Sequence, residues 1–283
     1  MLTGILWYAG DGMTTEAPTT ESPRRSWLAV RWRRFALAVT FLTRLPLPLR
    51  GEVTPDDLRA SMGWYPAVGA ALGLLGWGLY LGGARLFAGG EASLLAAALA
   101  VVLLETATGA LHLDGLMDTC DGAGSGAPRA RALEIMKDSR VGAMGVFGAV
   151  AVLLVKVAAL AALPPATALL PLLAGWAAAR ALPLLNLRLF PYARAQGTGG
   201  MFTTGRAPHA LPLALLTVAA AGWLAGRVDG LLLVALALAI PLFIQARIAA
   251  KLGGLTGDVY GCGIELSEVT AVLLGCVFAR WLP

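Results

Sequence analysis

The chain has 283 residues, 58% of them hydrophobic and only 14% charged, with a mean hydropathy of +0.73. Soluble domains carry roughly 25% charged residues, so this balance excludes an ordinary soluble domain and fits a multi-pass membrane protein. The net charge of +5 and pI near 9.4 do not signal nucleic acid, because the basic residues flank apolar runs, a placement that suits anionic membrane lipid. Cys120, Cys262 and Cys276 are an odd, scattered set and exclude a disulfide framework.

In chain order, residues 1–25 are polar and rich in Thr, Ser and Pro, which predicts a disordered tail. Residues 26–283 then form a single integral membrane domain. The apolar run from Phe35 to Thr43 is too short to span, and its leading Arg and Trp residues suit an amphipathic helix lying in the membrane interface. The fold class expected is all-α, a transmembrane helical bundle. About seven spans are placed near 63–87, 93–111, 143–163, 167–185, 211–225, 230–250 and 267–282. Within the first, Gly69/Gly73 and Gly78/Gly82 repeat the small-xxx-small spacing that lets membrane helices approach closely. Eighteen of the 22 lysines and arginines fall on one side of this topology. The positive-inside rule therefore makes the N-terminus and the segments 112–142, 186–210 and 251–266 cytoplasmic.

The chemistry-bearing residues lie in those segments. "LHLDGLMDTCDG" carries Asp114, Asp118 and Asp121 at i, i+4, i+7, which share one face of a helix. If the second span runs on through residue 121 it is about 43 Å long, longer than a hydrocarbon core of about 30 Å, and the acids emerge at the cytoplasmic boundary. Three carboxylates on one stripe repel unless a cation intervenes, and hard oxygen donors suit Mg²⁺ or Mn²⁺. A solvated helix end is the plain alternative. Asp138 stands between Lys137 and Arg140, which offer either phosphate contacts or the positive flank of a span. "KLGGLTGDVYGCGIELSE" holds Asp258, Glu265 and Glu268 among glycines, the composition of a loop that approaches a ligand. Arg188, Arg194 and Arg206 are further phosphate candidates, though the positive-inside rule already accounts for them. Glu105 and Lys156 fall inside spans and are functional hypotheses by position. They are expected at different depths and unpaired, with Lys156 extending toward the opposite face. No Ser-His-Asp set, HExxH or dinucleotide-binding fingerprint is present, and two distant histidines do not make a zinc site.

Together, "LHLDGLMDTCDG", "RALEIMKDSRVGAMG", "PYARAQGTGGMF" and "GGLTGDVYGCGIELSE" resemble the cobalamin synthase family, the adenosylcobinamide-GDP ribazoletransferases. "FLTRLPLP" and "GWYPAVGAALG" fit as well, so the likeness covers about residues 35 to 282. The resemblance implies a late step of vitamin B12 synthesis at the bacterial inner membrane, with the active site facing the cytoplasm. Alpha-ribazole or its 5′-phosphate is joined to adenosylcobinamide-GDP, GMP leaves, and Mg²⁺ is required. On that footing Asp114, Asp118 and Asp121 hold Mg²⁺, and Asp258 or Glu265 orients or deprotonates the attacking hydroxyl. Lys137, Asp138, Arg140 and Arg194 serve substrate binding, and His112 is a weaker candidate for acid–base catalysis. A homo-oligomer is left open. Two other readings stand beside it, a CDP-alcohol-type phosphotransferase and a cation-coupled transporter. The first expects Ala-Arg two residues after "DG", where Asp118 follows "DGLM" here. The second would set its acids near the midplane rather than at one boundary.

Overall fold

The computed structural model describes residues 27–49, 51–87, 89–194, 200 and 202–281. The expected tail at 1–25 lies outside the described residues. Among the described residues the chain is helical without a strand, and an isolated parallel bridge, Tyr192 to Leu255, is its extended pairing.

The first helix, α1 (Trp27–Leu42), matches the expected amphipathic segment. It buries Ala36, Leu37, Ala38 and Leu42 and exposes Trp27, Leu28 and Trp32. A short α2 (Pro55–Ser61) follows, started by a capping box in which Thr54 and Asp57 bond each other's backbone N–H. Next come α3 (Tyr65–Leu86), α4 (Ala92–Thr108), α5 (Leu111–Ala123), α6 (Arg129–Ile135) and α7 (Ala143–Ala162). A π-turn at Pro171–Gly175 leads into α8 (Trp176–Leu189). The last two elements are α9 (Ala210–Leu252) and α10 (Gly257–Trp281).

The bundle is inside-out relative to a soluble protein. Leu94, Leu95, Leu99, Val102 and Leu103 on α4 point outward, as do Phe147, Val150 and Leu154 on α7. The interior is instead built from small residues such as Ala97, Ala100, Ala174, Ala177 and Ala178, with charged groups enclosed among them. Such a surface is stable only against lipid, and small interior residues let helices pack where lipid gives no hydrophobic drive. The glycine pairs of α3 divide accordingly. A side chain at Gly69 or Gly73 would overlap the carbonyls of Trp176 or Leu172, whereas Gly78 and Gly82 face open space. Only the first pair is a packing seam.

Each of the seven predicted stretches is helical, but their number as crossings is not confirmed. By length and apolarity four helices qualify, covering Pro55–Leu86, Ala143–Ala162, Ala210–Leu252 and Gly257–Arg280. A fifth arises if the pair Ala92–Thr108 and Leu111–Gly122, bent by 90°, counts as one broken span. α9 is itself a pair of arms. Gly226 and Arg227 leave helical geometry, and Gly222 and Gly230 come together backbone to backbone, so the chain reverses there. Two further expectations are corrected. The acidic stripe does not continue the second span but follows a sharp elbow. The glycine-rich stretch from 257 onward is not a loop but the first turns of α10, with the actual loop confined to 253–256.

Candidate active site

The elbow between α4 and α5 positions the aspartates. Gly109 and Ala110 both adopt left-handed backbone geometry, at φ 66° and 55°. The chain turns there while the Ala110 N–H still donates to the Glu105 carbonyl at 2.8 Å. Glycine tolerates that conformation freely, but alanine is strained in it. The strain is sustained because α5 is packed on the rest of the bundle, chiefly on α10.

α5 meets α10 almost backbone to backbone. A Cβ at Gly115 would lie 2.7 Å from the Asp258 carbonyl, and one at Gly261 would lie 3.3 Å from the His112 Cα. This contact brings Asp258 beside the stripe, so that Asp118 feels the charges of Asp258, Asp114, Asp121 and Arg194. Asp258 is anchored at the first turn of α10. The Thr256 hydroxyl donates to its Oδ2 at 3.2 Å, and the Arg194 guanidinium lies 2.8 Å from the same oxygen. Arg194 also reaches the Met136 carbonyl at 3.3 Å. A backbone bridge delivers it there. Leu255 N–H donates to Pro191 O at 2.9 Å and Ala193 N–H to Leu255 O at 2.8 Å. Gly254, at φ 142°, admits the Pro191 carbonyl where any side chain would collide with it.

The three aspartates of the stripe are not equivalent. Asp121 takes the N–H groups of Gly142 and Gly145, each at 2.7 Å, and so caps the N-terminus of α7 with a negative charge. A side chain at either glycine would overlap that carboxylate. Among the described residues Asp114 and Asp118 accept no such backbone N–H, and Asp114 is exposed.

Asp114 and Asp258 line one cavity of about 580 Å³. Its other walls come from the elbow, from His112 and Gly261 on the packed faces, and from Thr40 to Pro46, the end of α1 and the segment after it. That last segment is fixed over the elbow by the Arg44 N–H, which donates to Ala107 O at 2.8 Å. His112 is 3% exposed and built into the cavity wall, between the carboxylates and the interior. Lys137, Asp138 and Arg140 are exposed on the connection into α7. Arg140 forks onto Asp138 at 3.0 and 2.7 Å, which holds that carboxyl at about 2 and satisfies much of its own donor capacity.

Glu265 does not stand beside Asp258. It is 1% exposed within the bundle, where Lys156 Nζ donates to Glu265 at 2.6 Å, Glu268 at 2.5 Å and Glu105 at 3.1 Å. Arg180, expected on the positive side of the topology, is buried against Glu268. Lys156 and Glu105 are therefore paired rather than at different depths, since Lys156 turns inward. Among the described residues, this trio of glutamates is the group of three acids whose oxygens lie within 4.8 Å of one another. An ammonium already sits at its centre. Sequence reasoning missed Thr256, the Lys156 hub and the cavity. Thr256 carried a legible signal, a hydroxyl residue just before a helix with an acid in its first turn. The other two depend on contacts between distant segments.

Fold and site define an integral-membrane enzyme whose acid-lined pocket opens at one end of a helical bundle. The cobalamin-5-phosphate synthase family matches residues 34–277, and the chain belongs to that family. Adenosylcobinamide-GDP ribazoletransferase of Brevibacillus brevis is 42% identical over 249 residues, covering 88% of this chain and 99% of the relative. The proteins of the same name from Desulfitobacterium hafniense and Pseudomonas aeruginosa are each 40% identical, over 85% of this chain and 95% and 96% of their own lengths. No solved structure matches the chain.

Proposed function

We propose that this chain carries out the late cobalamin-forming transfer named for its relatives. A ribose hydroxyl of alpha-ribazole, or of its 5′-phosphate, attacks the cobinamide-bound phosphorus of adenosylcobinamide-GDP. A new P–O bond forms to the ribose, the P–O bond of the diphosphate breaks, GMP leaves, and the hydroxyl proton passes to a base. The observation that carries this reading is the meeting of Asp114 and Asp258, 144 positions apart, on the wall of a single cavity in a chain of this family.

Asp114, Asp118 and Asp258 are the residues we assign to a divalent cation, Mg²⁺. The donor set fits it in kind: three hard carboxylates, near enough that Asp118 feels the charges of Asp114 and Asp258, with Arg194 as the counter-charge on Asp258. When bound, such an ion neutralises diphosphate oxygens as the leaving group departs. Asp258, steadied by Thr256 and Arg194, is also the group best held to orient the attacking hydroxyl. Arg194 in turn is free to exchange part of its contact for a phosphate oxygen. Asp121 serves the site indirectly by fixing α5 to α7. Lys137 and Arg140, both exposed, are assigned to the charged part of the donor. Membrane lipid surrounds the bundle, in the bacterial inner membrane, with this end toward the cytoplasm, where both substrates are soluble.

Purified protein in detergent, supplied with Mg²⁺, adenosylcobinamide-GDP and alpha-ribazole, is expected to release GMP in step with formation of the joined corrinoid. GMP that appears without alpha-ribazole, or not at all, rejects this assignment.

A further inference from the structure

The cavity beside Asp114 and Asp258 has a composition that discriminates between the parts of the two substrates. Away from the carboxylates its wall is aromatic and aliphatic: Phe41, Met62, Tyr65, Phe202 and Ile264. Phe41 lies parallel to Tyr65, with ring centroids 5.9 Å apart, and Phe202 meets Phe41 edge-on at 5.1 Å. Among the described lining residues there is no Asn, Gln, Glu or Lys, and the one guanidinium, that of Arg44, belongs to an exposed residue of the segment that follows α1. Two of the three threonine hydroxyls in the wall already donate within the chain, and the third accepts. Thr43 donates to Val39 O at 2.7 Å, Thr108 donates to Glu105 O at 3.1 Å, and Thr40 accepts from the Leu47 N–H at 3.4 Å. Tyr260, also in the wall, is 7% exposed, and its hydroxyl has no hydrogen-bond partner among the described residues.

We infer that this cavity seats the flat, uncharged heteroaromatic base of the nucleoside acceptor, with the corrinoid and guanosine diphosphate parts of the donor held outside it. The inference rests on the transferase reading above and goes on to specify which substrate moiety the pocket reads. Size is the first reason. Small-molecule pockets run to roughly 300–1,000 Å³, and about 580 Å³ suits a nucleoside but not a corrin macrocycle with its adenosyl ligand. Polarity is the second. A guanine edge carries several donors and acceptors that would be stripped of water against Phe, Met and Ile, each without a partner. A benzimidazole presents two aromatic faces, an apolar outer edge and a single free ring nitrogen, so it gives up the fewest hydrogen bonds against such a wall. Placement is the third. A base seated among Phe41 and Phe202 sends its ribose toward Asp114 and Asp258, where the attack takes place.

The test varies each substrate separately in the GMP-release assay, using the wild type, Phe202→Ala and Phe41→Leu. Removing the ring of an aromatic anchor is expected to raise KM for alpha-ribazole by about tenfold or more, with KM for adenosylcobinamide-GDP unchanged. Phe41→Leu keeps apolar volume and loses only the flat face, so it carries the test if Phe202→Ala fails to fold. An acceptor with adenine in place of the benzimidazole should show a similar rise in the wild type, since its extra polar groups enter an apolar wall. A rise confined to adenosylcobinamide-GDP would hand the cavity to the donor and overturn the proposal, as would variants with both constants unchanged. If the wild type released no GMP, the transferase reading would fail first. Equilibrium binding of alpha-ribazole to the same three proteins would then decide the cavity, with equal affinity for all three overturning it.

Discussion

Asp118 and Lys156 illustrate two fates of a charge in an apolar chain. Asp118 lies near Asp114 and Asp258 at a half-buried position, where like charges crowd and the proposed cation would resolve the conflict. Asp118→Asn keeps the shape and removes the charge. It should lower GMP release by about 100-fold or more while leaving the thermal unfolding midpoint in detergent near that of the wild type. Turnover close to normal would remove Asp118 from the metal site. Lys156 resolves the opposite problem, since two buried glutamates and the partly buried Glu105 converge on its ammonium. Lys156→Met leaves them facing one another and should cost about 3–5 kcal/mol, read as a drop in unfolding midpoint. Adding Glu265→Gln to that variant should recover part of the loss, because one of the uncompensated charges disappears.

At the scale of elements, the site depends on how helices begin and end. α5 leaves α4 through two left-handed residues, and only one of them is glycine. Ala110→Gly should be neutral or stabilising by up to about 1 kcal/mol, whereas Gly109→Val should destabilise by about 1–2 kcal/mol, both followed by thermal unfolding. Asp121 acts at the start of α7. Asp121→Ala should cost about 0.5–2 kcal/mol, as loss of a helix cap does, and Asp121→Asn should recover most of it. The Mg²⁺ concentration for half-maximal turnover should hold steady in Asp121→Asn. A large rise would return Asp121 to the set of metal ligands. The α5 stripe was legible from its i, i+4, i+7 spacing, and the capping role was not, because Gly142 and Gly145 are 21 and 24 residues away.

The whole molecule joins segments that the charge pattern had assigned to one side. Arg194 reaches Asp258, Arg206 N–H reaches Asp56, and Lys251 reaches the Ala123 carbonyl, so the expected cytoplasmic segments do meet at one end of the bundle. A cysteine replacing Gly126 should resist an impermeant thiol reagent in intact cells and react once the membrane is opened. Labelling of intact cells would invert the orientation. Chelation with EDTA should stop GMP release, and excess Mg²⁺ should restore it without refolding.

Composition alone determined that the chain lives in a membrane, because an excess of apolar residues can be satisfied only by lipid. Local spacing determined the helices and the acidic stripe, because a helix has a fixed period. Only the tertiary structure decided which acids share a site. Asp258 joins Asp114 and Asp118, while Glu265, two turns further along the same helix, is drawn into the interior by Lys156. That choice was set by the elbow at 109–110 and by glycine contacts between α5 and α10. Both are products of packing between residues far apart in the chain, which no periodicity encodes.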